Sequence, residues 1–225
     1  MSRGKIVILE GTSCVGKTTL CKNLEKLGWY VIPEAIRYLE EETHKQGDEA
    51  SPIPGSEEEE LYYQDQLFRV ELNKIIEANK ISEKGINVVI DKSAIATVAT
   101  AKAFELEKGF KGTFRAACNK YIDMLERLKL LGLIEYDMLI LLTADYDKIL
   151  ERNITRNHIL DGIWIDKSTI NSQRIVLEEI VDNFLQNTDA SIIKVLDTTN
   201  LTREEVLSKF CEFVSELDKG KVIIK

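Results

Sequence analysis

Long apolar runs are missing from this chain. No stretch approaches the roughly 20 residues that a membrane helix needs, and the first residues show no basic end followed by an apolar stretch, as a secretory leader would. Cysteine is scarce: Cys14, Cys21, Cys118 and Cys211 make four in 225 residues, and none stands in C-x-x-C spacing. A zinc ribbon or disulfide framework is therefore not expected, and a reducing, cytoplasmic setting is. Histidine is scarcer still, with only His44 and His158, far apart in sequence, which argues against a histidine-based metal or nucleophile site. Internal repeats and low-complexity segments are absent. Basic residues are outnumbered, 30 Lys and Arg against 38 Asp and Glu, for a formal charge of −8. A polyanion is an awkward partner for such a surface, so nucleic acid is not expected to be one.

What remains is an ordinary globular composition, 44% hydrophobic and 30% charged, long enough for one large α/β domain over residues 1–225. One stretch organises it. The apolar run Lys5-Ile-Val-Ile-Leu-Glu10 reads as a buried strand. Thr19 to Leu27, with Leu20, Leu24 and Leu27 at helical spacing, reads as a helix. Between them lies Gly11-Thr12-Ser13-Cys14-Val15-Gly16-Lys17-Thr18, which matches the phosphate-binding pattern G-x-x-x-x-G-K-[ST] in its proper strand–loop–helix context. The two glycines let the backbone curl so that successive N–H groups face phosphate oxygens. The helix adds its positive end. Lys17 is placed to reach the β/γ-phosphates, and the Thr18 hydroxyl to ligate Mg²⁺. A nucleoside triphosphate site follows.

Four further apolar segments, Trp29–Glu34, Ile86–Asp91, Asp137–Thr143 and Ser191–Asp197, read as strands separated by helices. The helices are expected over about 35–45, from a Ser56-x-x-Glu59 capping box to about Lys80, over 94–106, 114–131, 147–157 and 170–185, and from a Thr202-x-x-Glu205 box onward. The segment Val222–Lys225 is β-prone and has no assigned place. Alternation of this kind implies a three-layer α/β fold, a five-stranded parallel sheet with helices on both faces. Right-handed crossovers bring the strand C-termini to one edge, where ligands sit. Gly11 to Thr18, Glu34, Asp91, Thr143 and Thr198 should converge there.

Several residues then invite a chemical reading beside a plain one. Asp91 ends a buried strand at that edge, where a carboxylate either holds Mg²⁺ or caps the next helix. Lys148, Arg152 and Arg156 share one helical face. They form a lid over transferring phosphate, about residues 152–167, or a solvated stripe offset by Glu151. Glu34 is either a general base for a hydroxyl or a neighbour of a helix start. On the long third helix, Leu61, Phe68, Leu72 and Ile75 form the apolar stripe. Gln64, Asp65 and Arg69 lie on or beside it, where Asp65 and Arg69 pair with each other or line a pocket with Gln64. The runs Glu40–Glu42 and Glu57–Glu60 read as a solvated face and a helix N-terminus.

Together, Ile8 to Thr19, Glu34 after the second strand, Asp91-Lys92-Ser93, and Arg152-x-x-x-Arg156 followed by Asp161 resemble the thymidylate kinase and deoxynucleoside kinase group of P-loop kinases. They are also similar to AAA-type P-loop families of nucleoside and small-metabolite kinases. The resemblance covers about Lys5 to Asn200. It implies Mg²⁺-dependent transfer of the γ-phosphoryl group of ATP to a nucleoside or nucleoside monophosphate. It also implies a mobile lid carrying Arg152 and Arg156, and an adenine loop at Thr198, Thr199 and Asn200. Asp91 would then serve the metal and acceptor region, with acceptor contacts from Glu34, Arg37, Gln64, Arg69 and Lys92. Such folds often pair through their helices, so a homodimer is the expected assembly. Two departures stand out. Lys92 replaces the arginine usual after the strand-three acid, and a lysine gives no bidentate clamp. Glu34 follows Pro33 and precedes Ala35, where the group has proline after the glutamate. A GTP switch would carry Asn-Lys-x-Asp after the fourth strand. Leu142-Thr-Ala-Asp145 lacks it, which leaves an ATPase or a kinase of another small metabolite or of a nucleic-acid end as the rival readings.

Overall fold

The computed structural model describes residues 2–44, 53–155, 159–160, 162–185 and 192–219. The strands are β1 (Ile6–Glu10), β2 (Tyr30–Ile32), β3 (Val88–Asp91), β4 (Met138–Thr143) and β5 (Ile192–Asp197). The helices are α1 (Lys17–Lys26), α2 (Ala35–Thr43), α3 (Glu57–Ser82), α4 (Ala94–Lys108), α5 (Thr113–Leu130), α6 (Tyr146–Ile154), α7 (Lys167–Leu185) and α8 (Arg203–Lys219). A 3₁₀ turn, Gly162–Trp164, precedes α7. The sheet is parallel throughout, in the order β2-β3-β1-β4-β5.

The central strands are buried on both faces, and their side chains alternate between two cores. Ile6 and Ile8 of β1, Val88 and Ile90 of β3, and Leu139 and Leu141 of β4 pack with α3, α4 and α5. Val7, Leu9, Val89, Met138, Ile140 and Leu142 pack with α1 and α8 on the other side. Each such side chain contributes about 1.5–3 kcal/mol on burial, which is why these strands read as continuous apolar runs. The same alternation aims the last residue of each strand. Glu10 follows Ile6 and Ile8 toward α3 and α4, and Asp91 follows Val89 toward α1.

The Thr202 box closes fully and the Ser56 box on its hydroxyl side, with the Glu59 carboxylate accepting from the Gly55 N–H at 2.7 Å. The Ser56 hydroxyl accepts from the Glu59 N–H at 3.2 Å. Thr202 and Glu205 cap each other reciprocally. The differences are at element ends: β2, an edge strand paired only with β3, is limited to Tyr30–Ile32, and β3 begins at Val88. Helix α6 starts at Tyr146 and is described to Ile154, while Arg156, His158, Asp161 and Val222–Lys225 lie outside the described residues. Among the described residues, no helix is long and apolar enough to cross a membrane.

Candidate active site

The loop between β1 and α1 curls as its sequence requires. Gly11 has φ +139, and a Cβ there would meet the Leu142 carbonyl oxygen at 2.3 Å. Only glycine fits. Gly16 has open space around it, but its φ of +108 excludes ordinary side chains. Between them Cys14 is also left-handed, at φ 60. Val15 is buried against Leu20 and Leu142, which anchors the loop to the α1 side of the core.

Lys17 begins α1 and is buried. Its ammonium donates to the carbonyls of Gly11 and Thr12, both at 2.7 Å, so it lies across the mouth of the loop. Burial, and next the Lys92 ammonium, lower its pKa against the pull of Asp91 and Glu34. One residue on, the Thr18 hydroxyl donates to Asp91 Oδ2 at 3.0 Å. The other carboxylate oxygen of Asp91, Oδ1, is buried with no partner. Burial and the nearby Glu34 carboxylate raise the Asp91 pKa, while Lys17 and Lys92 hold it down. A carboxylate with one spare oxygen beside a P-loop hydroxyl fits Mg²⁺, which takes one or two protein ligands and completes its shell from phosphate and water. No group of three or more His, Cys, Asp or Glu forms a self-sufficient metal site among the described residues.

Glu34 and Lys92 form an ion pair at the same sheet edge. Burial disfavours the charged form of Glu34, yet Lys92 and then Lys17 hold its carboxyl down at about 2. In return the Glu34 carboxylate raises the Lys92 ammonium despite burial. Lys92 stands at φ 58, a left-handed conformation that is costly for a side chain of its size.

The helix α6 stripe splits. Lys148 pairs with Glu151 on the surface at 2.8 Å. Arg152 instead turns inward, where its guanidinium donates to the Thr198 carbonyl at 2.6 Å, to the Thr198 hydroxyl at 2.9 Å and to the Cys14 carbonyl at 3.4 Å. The Thr198 hydroxyl in turn donates to the Val15 carbonyl at 2.9 Å. Arg152 and Thr198 thus tie the loop after β5 to the glycine loop. Thr199 accepts from the Asp145 N–H at 2.9 Å and donates to Asp197, and Asn200 is exposed.

Three expected acceptor residues are not brought in. Arg37 pairs with Glu40 at 2.7 Å, so it is Lys92, not Arg37, that orients Glu34. Arg69 pairs with Glu42 at 2.7 Å rather than with Asp65, which pairs with Lys120. Both guanidinium groups are about half exposed. Gln64 is buried between α3 and α5, where its amide donates to Glu60 and to the Thr113 carbonyl. The charged residues of α3 that do face the site are Glu71 and Lys74, both fully buried, and with them Glu10 of β1. Glu10 accepts from both the N–H and the hydroxyl of Ser93, at 2.7 and 2.6 Å. A signal for each was present. Glu71 sits three residues after Phe68 on the apolar stripe, and Glu10 continues an apolar strand into the glycine loop.

Comparison with known proteins agrees with this architecture. The structure is similar to that of thymidylate kinase from Candida albicans, with a TM-score of 0.67 over 96% of this chain and 93% of that one, at 17% identity. No curated protein sequence matches the chain. The sequence pattern described as the AAA domain matches residues 6–161. With the glycine loop, the Thr18–Asp91 pair and the parallel sheet already in place, the chain belongs to the AAA domain family of P-loop proteins.

Proposed function

We propose that this chain transfers the γ-phosphoryl group of ATP to a nucleoside or nucleoside monophosphate of the deoxynucleoside or thymidylate type, and that of the two the site favours the nucleoside, whose acceptor atom is a hydroxyl. The observation that carries the reading is the Glu34–Lys92 ion pair beside Thr18, Asp91 and Lys17. A bare ATPase has no need of a second charged cluster beyond the metal side. The outward pairing of Arg37 and Arg69 supports the hydroxyl, because a monophosphate would call on those arginines as clamps.

In this reading the glycine loop and α1 N-terminus hold the triphosphate, with the Thr198–Asn200 loop next to adenine. Lys17 leaves its two carbonyls for the β/γ-phosphate oxygens. Thr18 and Asp91 hold Mg²⁺, which neutralises charge on those phosphates. Glu34 takes the acceptor proton as the acceptor oxygen bonds to the γ-phosphorus and the bond to the β-phosphate oxygen breaks. ADP leaves with the electron pair. Lys92 holds Glu34 and the acceptor in line. Arg152, with Arg156, closes over the transferring group as part of a lid at 152–167. The chain works as one kinase domain on small molecules, in the cytoplasm and as a homodimer.

An ADP-release screen over nucleosides and nucleoside monophosphates tests this. Release that depends on a nucleoside is expected. A flat response over all acceptors, with steady acceptor-free hydrolysis, would leave an ATPase instead.

A further inference from the structure

We propose that Lys74 is a positioning residue: from within the core it fixes the turn that carries Asp91 and Lys92 into the site. The proposal takes its functional meaning from the kinase reading above, but its geometry is independent of it.

The Lys74 side chain is wholly covered. Its ammonium has three protons and three acceptors: Glu71 Oε1 at 3.0 Å, the Lys92 carbonyl at 2.9 Å and the Asp91 carbonyl at 3.4 Å. Two of the three belong to the backbone of the β3–α4 turn. The same turn is held from the opposite side. Leu9 accepts from the Lys92 N–H at 3.0 Å, and Glu10 accepts from the Ser93 N–H and hydroxyl. Between these grips Lys92 keeps its left-handed conformation, which sends its ammonium to Glu34, while Asp91 meets Thr18.

Stability alone does not account for a lysine in this place. Buried ion pairs are commonly matched or bettered by apolar residues of similar volume. Glu71 is an incomplete partner as well, since its Oε2 is buried with no hydrogen bond and burial raises its pKa. What an apolar side chain could not supply is donation to two backbone carbonyls behind the Asp91 carboxylate. Glu71 supplies the third acceptor for that ammonium and is the more replaceable of the two.

The test uses the full chain and a fluorescent ATP analogue, titrated with and without Mg²⁺, together with thermal unfolding. Glu71→Gln keeps a hydrogen-bond acceptor for Lys74 and should bind as wild type. Lys74→Met, and the double change Glu71→Leu with Lys74→Met, should leave metal-free nucleotide affinity within about twofold. Both should raise the Mg²⁺ midpoint about tenfold or more, as loss of an outer-shell partner does. The double variant should melt higher than Lys74→Met, since it carries no orphaned carboxylate, yet stay equally impaired toward Mg²⁺. A double variant with wild-type Mg²⁺ dependence would overturn the proposal. So would Mg²⁺-independent nucleotide binding by the wild type, or failure of both Lys74 variants to fold. A wild-type chain that binds Mg²⁺-ATP normally but phosphorylates no nucleoside would sink the kinase reading and leave this test standing.

Discussion

The two sides of the site are made of different material. On the nucleotide side the main chain forms the surface: left-handed residues at Gly11, Cys14 and Gly16, the start of α1, and carbonyls of Cys14 and Val15 gripped by Arg152 and Thr198. On the acceptor side, charges from separate elements meet: Glu10 from β1, Glu34 before α2, Glu71 and Lys74 from α3, and Asp91 and Lys92 at the end of β3. A main-chain cradle depends on a few glycines at local spacing. A charge cluster depends on which face of each helix turns inward, and its members come from separate elements.

The largest effect should come from breaking the nucleotide side. Lys17→Ala removes the ammonium that the glycine loop holds ready for the β/γ-phosphates, and turnover should fall by about 10³-fold or more. A folded Lys17→Ala variant with near-normal turnover would end the P-loop reading. Next comes Glu34→Gln, which keeps shape but cannot take a proton. Lys92 holds the carboxyl down at about 2, which makes it a weak base, so the loss should sit near the low end of general-base effects, about 10²-fold in kcat. A depressed carboxylate contributes stability above its ordinary pKa and loses it as the pH falls toward 2. The rate should therefore show no acid limb from Glu34 between pH 5 and 8. Full kcat on a nucleoside for Glu34→Gln would refute the base role.

Arg152→Ala sharpens the comparison, because this arginine belongs to the main-chain side by its contacts and to the chemistry by its charge. A loss of about tenfold in kcat with little change in ATP affinity is expected of a group acting on the transition state. Equal losses in both would make Arg152 a strut for the glycine loop. The last effect is on stability rather than rate. Burial pushes the Glu10 carboxyl from 4.5 up to about 7, opposed by Ser93 and Lys17. The folded chain then keeps a proton that the unfolded chain has released. Stability due to Glu10 should fall as the pH rises from about 4.5 through 7, by a few kcal/mol at most. Glu10→Gln should flatten that part of the curve, leaving the similar slope from Glu135, also raised by burial to about 7. Identical pH profiles for Glu10→Gln and wild type would show that Glu10 stays ionised.

This division also explains what could be read in the sequence. The glycine loop, the five strands and both capping boxes were legible because each is local, a matter of spacing over a few residues. Asp91 was legible because it ends a strand beside that loop. Arg69 and Gln64 were not, because their places turn on partners elsewhere in the chain: Glu42 lies 27 residues from Arg69, and Thr113 lies 49 from Gln64; Arg37 is instead claimed by Glu40, one turn on in the same helix. A mobile arginine beside an exposed glutamate pairs with it whatever the helix stripe suggests. Glu71 and Lys74 sat on that stripe in plain view. Polar residues on an apolar face were read only at Gln64, Asp65 and Arg69, one and two turns too early.

The parallel sheet has a further consequence, for the birth of the protein. Strand β1 lies at the centre, and its partners come late. Lys5 is joined to Asn87 across 82 residues, and Ile6 to Asp137 across 131. A ribosome adding about 5–20 residues each second needs on the order of ten seconds to supply β4 after β1. Until then Ile6-Val-Ile-Leu9, fully buried in the finished molecule, has β3 on one side and its β4 side open. Neither Thr18 nor Lys17 can meet Asp91 until β3 has arrived. The two halves of the metal site, Thr18 and Asp91, are thus encoded 73 residues apart and can meet only once β3 has been made.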